Sequence, residues 1–272
     1  MNAHEPLQRS LILAAAAAFV LVGAMSAQQN LGYDSTPMLP DSPWRVHDGT
    51  RPQPPVVTPP AQALPVPAPA DAVVLFDGTD LSKWTRTSGE PARWRIDQGE
   101  LVVVARGGSM VSTETFGDVQ LHVEWATPAE GTGAGQGRGN SGVFLMRRYE
   151  IQVLDSFDNP TYPDGQAGAI YGQYPPLVNA SRGPGAWQSF DIVFTAPRFG
   201  PAGEVTSPAR ATILHNGIVV HQNVALIGST MHQKVGVYQP HADREPILLQ
   251  DHGNPVRFRN IWARRLTADD AR

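Results

Sequence analysis

Cysteine is absent from the 272-residue chain. Disulfides and thiolate metal sites are thereby excluded, and any bound metal would need histidine, carboxylate or carbonyl ligands. A large charge of one sign is also missing. The formal net charge is −4, with no basic block or stripe, so a nucleic acid is not the expected partner. From residue 71 onward no stretch sustains a 3.6-residue apolar period, and long amphipathic helices are not expected. The metalloprotease pattern H-E-x-x-H is absent, and residues 139–142 fall short of G-x-S-x-G, leaving Ser141 a poor candidate nucleophile. Residues 137–142, GRGNSG, do fit G-x-G-x-x-G. They lead into the strand-like Val143-Phe144-Leu145, however, where a dinucleotide site requires a helix.

Among the features present, the first is an apolar run from Leu11 to Ala24. Arg9 precedes it and the small residues Ala24-Met25-Ser26-Ala27 follow. It has the outline of an export signal over residues 1–27 and is short of the roughly 20 residues of a membrane span. A periplasmic or secreted protein is expected, tethered only if the signal is uncleaved. Residues 28–70 hold eleven prolines with no usable period. Such a segment favours extended polyproline II and reads as a disordered, Pro-rich spacer.

The folded domain is expected over residues 71–267. Val119 to Trp125 alternates, with Val119, Leu121, Val123 and Trp125 on one face and Gln120, His122 and Glu124 on the other. Trp187 to Ala196 does the same. Asp97-Gln98-Gly99 and Asn216-Gly217 are hairpin turn signals. Further strands are predicted over Lys234 to Tyr238, Ile247 to Gln250 and Val256 to Arg264. A dozen or so short strands separated by turns indicate an all-β sandwich.

The central stretch is NSGVFLMRRYEIQVLDS, Asn140 to Ser156. It reads as two strands joined at Arg147-Arg148. Tyr149, Ile151 and Val153 share an apolar face, while Glu150 and Gln152 share the opposite one. A carboxylate and a carboxamide two residues apart can reach one small polar ligand, although any half-buried antiparallel strand also shows polar-out alternation. Asp251-His252 could bind a divalent ion or move a proton, and equally suits a polar turn. Tyr171 and Trp187 offer aromatic faces for sugars, or for the core.

Four segments carry a resemblance: LFDGTDLSKW at 75–84, NSGVFLMRRYEIQVLDS, GAIYGQYPPLVNASRGPGAWQSFDIVF at 168–194, and LLQDHGNPVRFRNIW at 248–262. Together they make the chain, from Val73 to Arg265, resemble the 3-keto-disaccharide hydrolase domain family. The resemblance implies a concanavalin A-like (laminin G-like) jelly-roll sandwich of two antiparallel sheets. It also implies cleavage of glycosides already oxidised to a ketone at C3. The family writes R-P-P-G-E-W where this chain has Arg182-Gly183-Pro184-Gly185-Ala186-Trp187, so no role can rest on Ala186.

A 3-ketone acidifies the C2 hydrogen, so a base can remove it and the C1 substituent can leave. Such chemistry needs a base, an acid for the leaving oxygen and donors for the enolate. On that scheme Glu150 is the base or a metal-orienting carboxylate, and Asp251-His252 the acid or a ligand pair. Gln152 and Asn140 hold sugar hydroxyls, and Arg147 or Arg259 stabilises the enolate. Tyr171 and Trp187 contact the sugar, and a divalent cation remains open. Two other readings stand beside it. One is a non-catalytic carbohydrate-binding or adhesion module of the same fold. The other is an ordinary glycosidase, in which Glu124 partners Glu150 if their strands are adjacent.

Overall fold

The computed structural model describes residues 31–267, so the export signal expected over residues 1–27 lies outside the described residues. Turn formers keep every strand short. The first six strands are β1 (Val73–Phe76), β2 (Trp84–Arg86), β3 (Arg95–Asp97), β4 (Glu100–Val102), β5 (Met110–Phe116) and β6 (Val119–Ala126). The central stretch supplies β7 (Ser141–Leu145) and β8 (Tyr149–Val153). Then come β9 (Gln188–Thr195), β10 (Arg198–Phe199), β11 (Val205–Ser207), β12 (Arg210–His215) and β13 (Ile218–Ala225). The last two are β14 (Glu245–Leu249) and β15 (Arg257–Arg265). Among the described residues the only helical pieces are two short 3₁₀ turns, Gly135–Gly137 and Pro163–Gly165.

The strands form the expected jelly-roll sandwich. An eight-stranded antiparallel sheet runs β13-β12-β9-β6-β15-β4-β3, with β1 also paired to β15. A five-stranded sheet runs β2-β5-β14-β7-β8. Alternation explains how they pack. Leu121, Val123, Trp125, Phe190, Ile192 and Phe194 line the inner face of the larger sheet. Val143, Leu145, Tyr149, Ile151 and Val153 line that of the smaller. The Tyr149 ring lies 5.5 Å from Phe194 across the core. Each such side chain contributes about 1.5–3 kcal/mol by leaving water. The predicted tight turns are present, with positive φ at Gln98 and Gly99 and again at Asn216 and Gly217.

One predicted strand does not form. Residues 234–238 run as an irregular segment in which Val237 is exposed and Gly236 lies against the backbone of Ser229. The Tyr238 hydroxyl there accepts from the Ala209 N–H and donates to the Leu226 carbonyl.

The Pro-rich segment also differs from expectation. Residues 31–70 form a strap laid along the sandwich, where a disordered spacer was expected. Val46 and His47 are fully buried. Farther along, the Val57 N–H bonds the Asn179 carbonyl at 2.9 Å, Gln53 bonds the Thr161 carbonyl, and Ser189 donates to Gln62. The Val66 N–H bonds Glu124 at 2.9 Å, and the Val66 carbonyl accepts from Asn260. Polyproline backbone has no internal hydrogen bonds to give up, so its free N–H and C=O groups serve as docking points.

Candidate active site

Glu150 and Gln152 project from the outer face of the five-stranded sheet, as the alternation predicts, yet neither is solvated. They are 5% and 1% exposed. The cause lies in how the edge strand is finished. β8 is the last strand of its sheet, and residues 168–171 close its open side. The Gln152 N–H bonds the Ala169 carbonyl, the Gly168 N–H bonds the Gln152 carbonyl, and the Tyr171 N–H bonds the Glu150 carbonyl. This backbone pairing covers an exposed edge and sets the Tyr171 side chain close enough to feel the charge of Glu150.

The strand register makes room for the carboxyl group. Gly142 of β7 faces Gln152, and Phe144 faces Glu150. On the other side of β7 the Gln250 N–H bonds the Gly142 carbonyl. Gly142 carries no side chain, and Glu150 leans into that space. A Cβ there would overlap Glu150 Oε1 and come within 2.8 Å of the Phe144 ring. Gly142→Ala is therefore expected to push the carboxyl group aside, lowering turnover at least tenfold (one factor of ten being about 1.4 kcal/mol) while the circular dichroism spectrum stays unchanged. Wild-type turnover in that variant would mean that the placement of the carboxyl group is immaterial.

No described residue donates a hydrogen bond to the Glu150 carboxylate; its hydrogen bonds are made by the backbone, the N–H donating to Thr230 Oγ1 at 3.0 Å and the carbonyl accepting from the Tyr171 N–H. Burial pushes its carboxyl up to about 8. Beside it, Gln152 Nε2 donates to Gln136 Oε1 at 3.0 Å, leaving Gln152 Oε1 buried with no protein partner. Asn140 Nδ2 bonds the Gln136 carbonyl at 2.8 Å. Gln250 Oε1 is likewise buried and unpartnered. Buried acceptors left open in this way are costly unless a ligand or water meets them.

Tyr171 connects the carboxylate to a nest of rings. Its hydroxyl lies 3.0 Å from the Tyr162 hydroxyl and 3.0 Å from His232 Nδ1. Burial raises the ionisation point of Tyr171, so it keeps its proton at neutral pH. Burial, then the nearby His47 and His252, lower that of His232 and favour its neutral ring. His47, from the strap, packs 4.2 Å from the Tyr162 ring and 4.7 Å from Tyr171. Asp164 holds it by both its backbone N–H and its Nδ1.

Of the residues singled out in the sequence, Glu150, Gln152, Asn140, Tyr171 and His252 therefore lie in one region. The others do not join them. Asp251 spends both carboxylate oxygens on backbone, accepting from the Gly108 and Gly253 N–H groups, which makes it the polar turn. Arg147 is exposed at the tip of the β7–β8 turn, where Met146 and Arg147 both take positive φ. Arg259 lies on the outer face of the larger sheet, the far side of the sandwich, paired to Glu124 at 2.7 Å and packed over the Trp187 ring at 4.0 Å. Glu124 belongs to β6 of that same sheet and cannot partner Glu150.

Sequence reasoning missed Gln136, His232, His47, Tyr162 and Gly142. Only Gly142 carried a signal, as a glycine inside a strand pattern. Among the described residues no three His, Asp or Glu side chains converge as a metal site.

Residues 71–264 match the model of the 3-keto-alpha-glucoside-1,2-lyase-like domain. The fold and sequence are similar to a solved protein of Parabacteroides distasonis ATCC 8503 proposed to be a glycosyl hydrolase. That likeness has 43% identity and a TM-score of 0.73, covering 79% of this chain and 93% of that one. Two further proteins of the same organism, also proposed as glycosyl hydrolases, share the fold. One has 17% identity and a TM-score of 0.53, covering 72% of this chain and 94% of its own. The other has 21% identity and a TM-score of 0.52, covering 72% and 99%. No curated protein matches the chain.

Proposed function

Because the chain belongs to the 3-keto-alpha-glucoside-1,2-lyase-like domain family, we propose that it cleaves glycosides carrying a ketone at C3 by elimination followed by hydration. The observation that carries this reading is the Glu150 carboxyl group, buried, free of hydrogen bonds and raised to about 8. A base held near neutrality is what proton abstraction beside a ketone requires.

Glu150 takes the C2 proton, and the C2–H electron pair becomes the C1–C2 double bond as the C1–O bond breaks. The leaving oxygen receives a proton from the Tyr171 hydroxyl, which His232 and Tyr162 hold in place. Water then adds across the double bond, its oxygen to C1 and a proton from Glu150 to C2, giving net hydrolysis. Tyr171 recovers its proton from the same water. Gln152 Oε1 and Gln250 Oε1 accept from sugar hydroxyls that complete their bonding. A non-catalytic binding module has no need of an unpaired buried carboxyl group, and the other carboxylate of the ring nest, Asp164, is buried and committed to His47, which leaves an ordinary glycosidase without a free second carboxylate there.

The test is to incubate the protein with a 3-keto-glucoside and with its unoxidised parent, each with and without EDTA. Aglycone should appear from the keto form alone. Equal release from both substrates, or binding without release, would overturn the reading, and loss of activity in EDTA would add a divalent cation to the site. The export signal expected over residues 1–27 supports a periplasmic or extracellular setting for this reaction.

A further inference from the structure

His47 belongs to the strap, outside the residues 71–264 that match the family model, yet its ring lies in the middle of the nest around Tyr171. Ring centroids are 4.2 Å away at Tyr162, 4.7 Å at Tyr171 and 5.3 Å at His232. The same three side chains form the chain Tyr162–Tyr171–His232, in which the Tyr171 hydroxyl lies 3.0 Å from each neighbour. One imidazole therefore packs on every member of the group that holds the leaving-group acid.

His47 is itself pinned twice by Asp164. One carboxylate oxygen accepts the His47 backbone N–H at 2.9 Å, and the other lies 3.2 Å from Nδ1. Both side chains are fully buried. Asp164 follows Tyr162 directly in the chain, and its carbonyl accepts from the N–H of Gly172, the residue after Tyr171. The clamp is thus built into the backbone that carries both tyrosines. Gly172 leaves just enough room for it, since a Cβ there would come within 3.2 Å of His47 Cε1. His47 Nε2 is buried with no described partner. A buried nitrogen left open is destabilising, and a phenyl ring would fill the same place without that penalty. What the imidazole has and a phenyl lacks is the bond to Asp164, and with it one fixed ring orientation.

We propose that His47, oriented by Asp164, is a positioning residue for Tyr171, holding its hydroxyl where the leaving oxygen needs a proton. This rests on the elimination reading and brings the strap into its machinery. His47 acts through Tyr171 and not on the sugar. A misplaced acid slows proton transfer even when its chemistry is intact, because such transfer needs hydrogen-bond reach.

The experiment compares wild type, His47→Asn and His47→Phe. Asparagine keeps a donor for Asp164 and removes the ring, whereas phenylalanine keeps the ring and removes the bond. Each protein is given methyl 3-keto-glucoside, whose alkoxide must be protonated to leave, and 4-nitrophenyl 3-keto-glucoside, whose phenolate leaves as the anion. A displaced acid penalises the first far more than the second. In His47→Asn, kcat for methanol release should fall at least about tenfold further than kcat for nitrophenolate release. His47→Phe should show the same bias to a smaller degree. Equal losses on the two substrates would mean that His47 only fastens the strap, and equal losses or none overturn the proposal. If His47→Asn does not fold by circular dichroism, the same comparison in His47→Phe decides.

A crystal structure of the folded variant gives a reading without turnover. The Tyr171 hydroxyl should leave hydrogen-bond reach of His232 Nδ1 or of the Tyr162 hydroxyl. A hydroxyl that stays in place overturns the proposal whatever the activity. If it moves while wild type releases aglycone from neither substrate, the elimination reading falls and the positioning of Tyr171 by His47 stands.

Discussion

Replacing Glu150 by Gln is expected to lower turnover of a 3-keto-glycoside by about 10²–10⁴-fold, the usual contribution of a positioned acid or base, and at the same time to stabilise the protein above pH 5. The first effect follows from removing the proton acceptor. In wild type, kcat/KM should rise with pH and level off near 8, where the carboxylate becomes the major form.

The stability effect follows from the same burial. The folded carboxyl titrates near 8 and the unfolded one near 4.5, so between these values the native state holds a proton that the unfolded chain releases. Wild-type stability therefore falls as pH rises from about 4.5 to 8 and is level above that, a penalty of up to about 5 kcal/mol at 1.36 kcal/mol per pH unit. Gln cannot ionise and escapes the penalty. Melting curves of the two proteins should coincide near pH 4 and separate steadily toward pH 8, with the variant higher. A variant that keeps its activity, or melts below wild type at pH 8, would remove Glu150 from the mechanism.

The second large effect lies on the opposite side of the sandwich. Glu124 accepts from the Val66 N–H, Asn260 Nδ2 and Arg259 Nε, at 2.9, 2.8 and 2.7 Å, and His122 lies at 3.5 Å. Burial on its own would raise this carboxyl, but the bonds from His122, Asn260, Arg259 and Val66 bring it down to about 2. Glu124→Ala leaves an arginine, an imidazole, an amide and a strap N–H without their acceptor. A loss of roughly 3 kcal/mol or more is expected, since breaking a buried pair strands its partner. For a protein of this size that lowers Tm by about 10 °C.

Because the folded pKa is below the unfolded one, this contribution is fully present above about pH 4.5. It fades as pH falls toward 2, so the variant and wild type should converge in acid. Thermal melts at pH 7 and pH 3 check both statements, and limited proteolysis should show cutting within residues 60–70 in the variant. A Tm unchanged at pH 7 would mean that the network is incidental.

How these two sites were visible beforehand differs. Alternation along β6, β8 and β9 set which residues face the core, and Asn216-Gly217 marked a hairpin by chemistry that works locally. Glu150 and Gln152 could be placed on one face for the same reason. What alternation cannot report is what covers that face. Gln152 is buried by residues 168–171, Glu124 by Val66, and neither relation leaves a local pattern. His232 and His47 reach the Tyr171 ring from segments far apart in sequence. Arg259 carried the right charge for an enolate, but its strand belongs to the other sheet. Val235 and Val237 alternate about Gly236 as a strand would, yet the backbone there packs on Ser229 and pairs with no neighbour.

The strap also bears on the order in which the molecule is assembled. Its residues leave the ribosome before any strand, but the groups they dock on come much later: Asp164 for His47, Asn179 for Val57 and Asn260 for Val66. Val66 cannot find its full set of partners until nearly the whole chain has been made. The earliest-made part of the described chain is thus among the last to settle, and contacts of such long sequence separation slow folding. His47 reaches the candidate site only at that final step, so a protein whose sandwich has formed but whose strap is still loose would be folded in bulk while the Tyr162 and Tyr171 rings lack the imidazole they pack on.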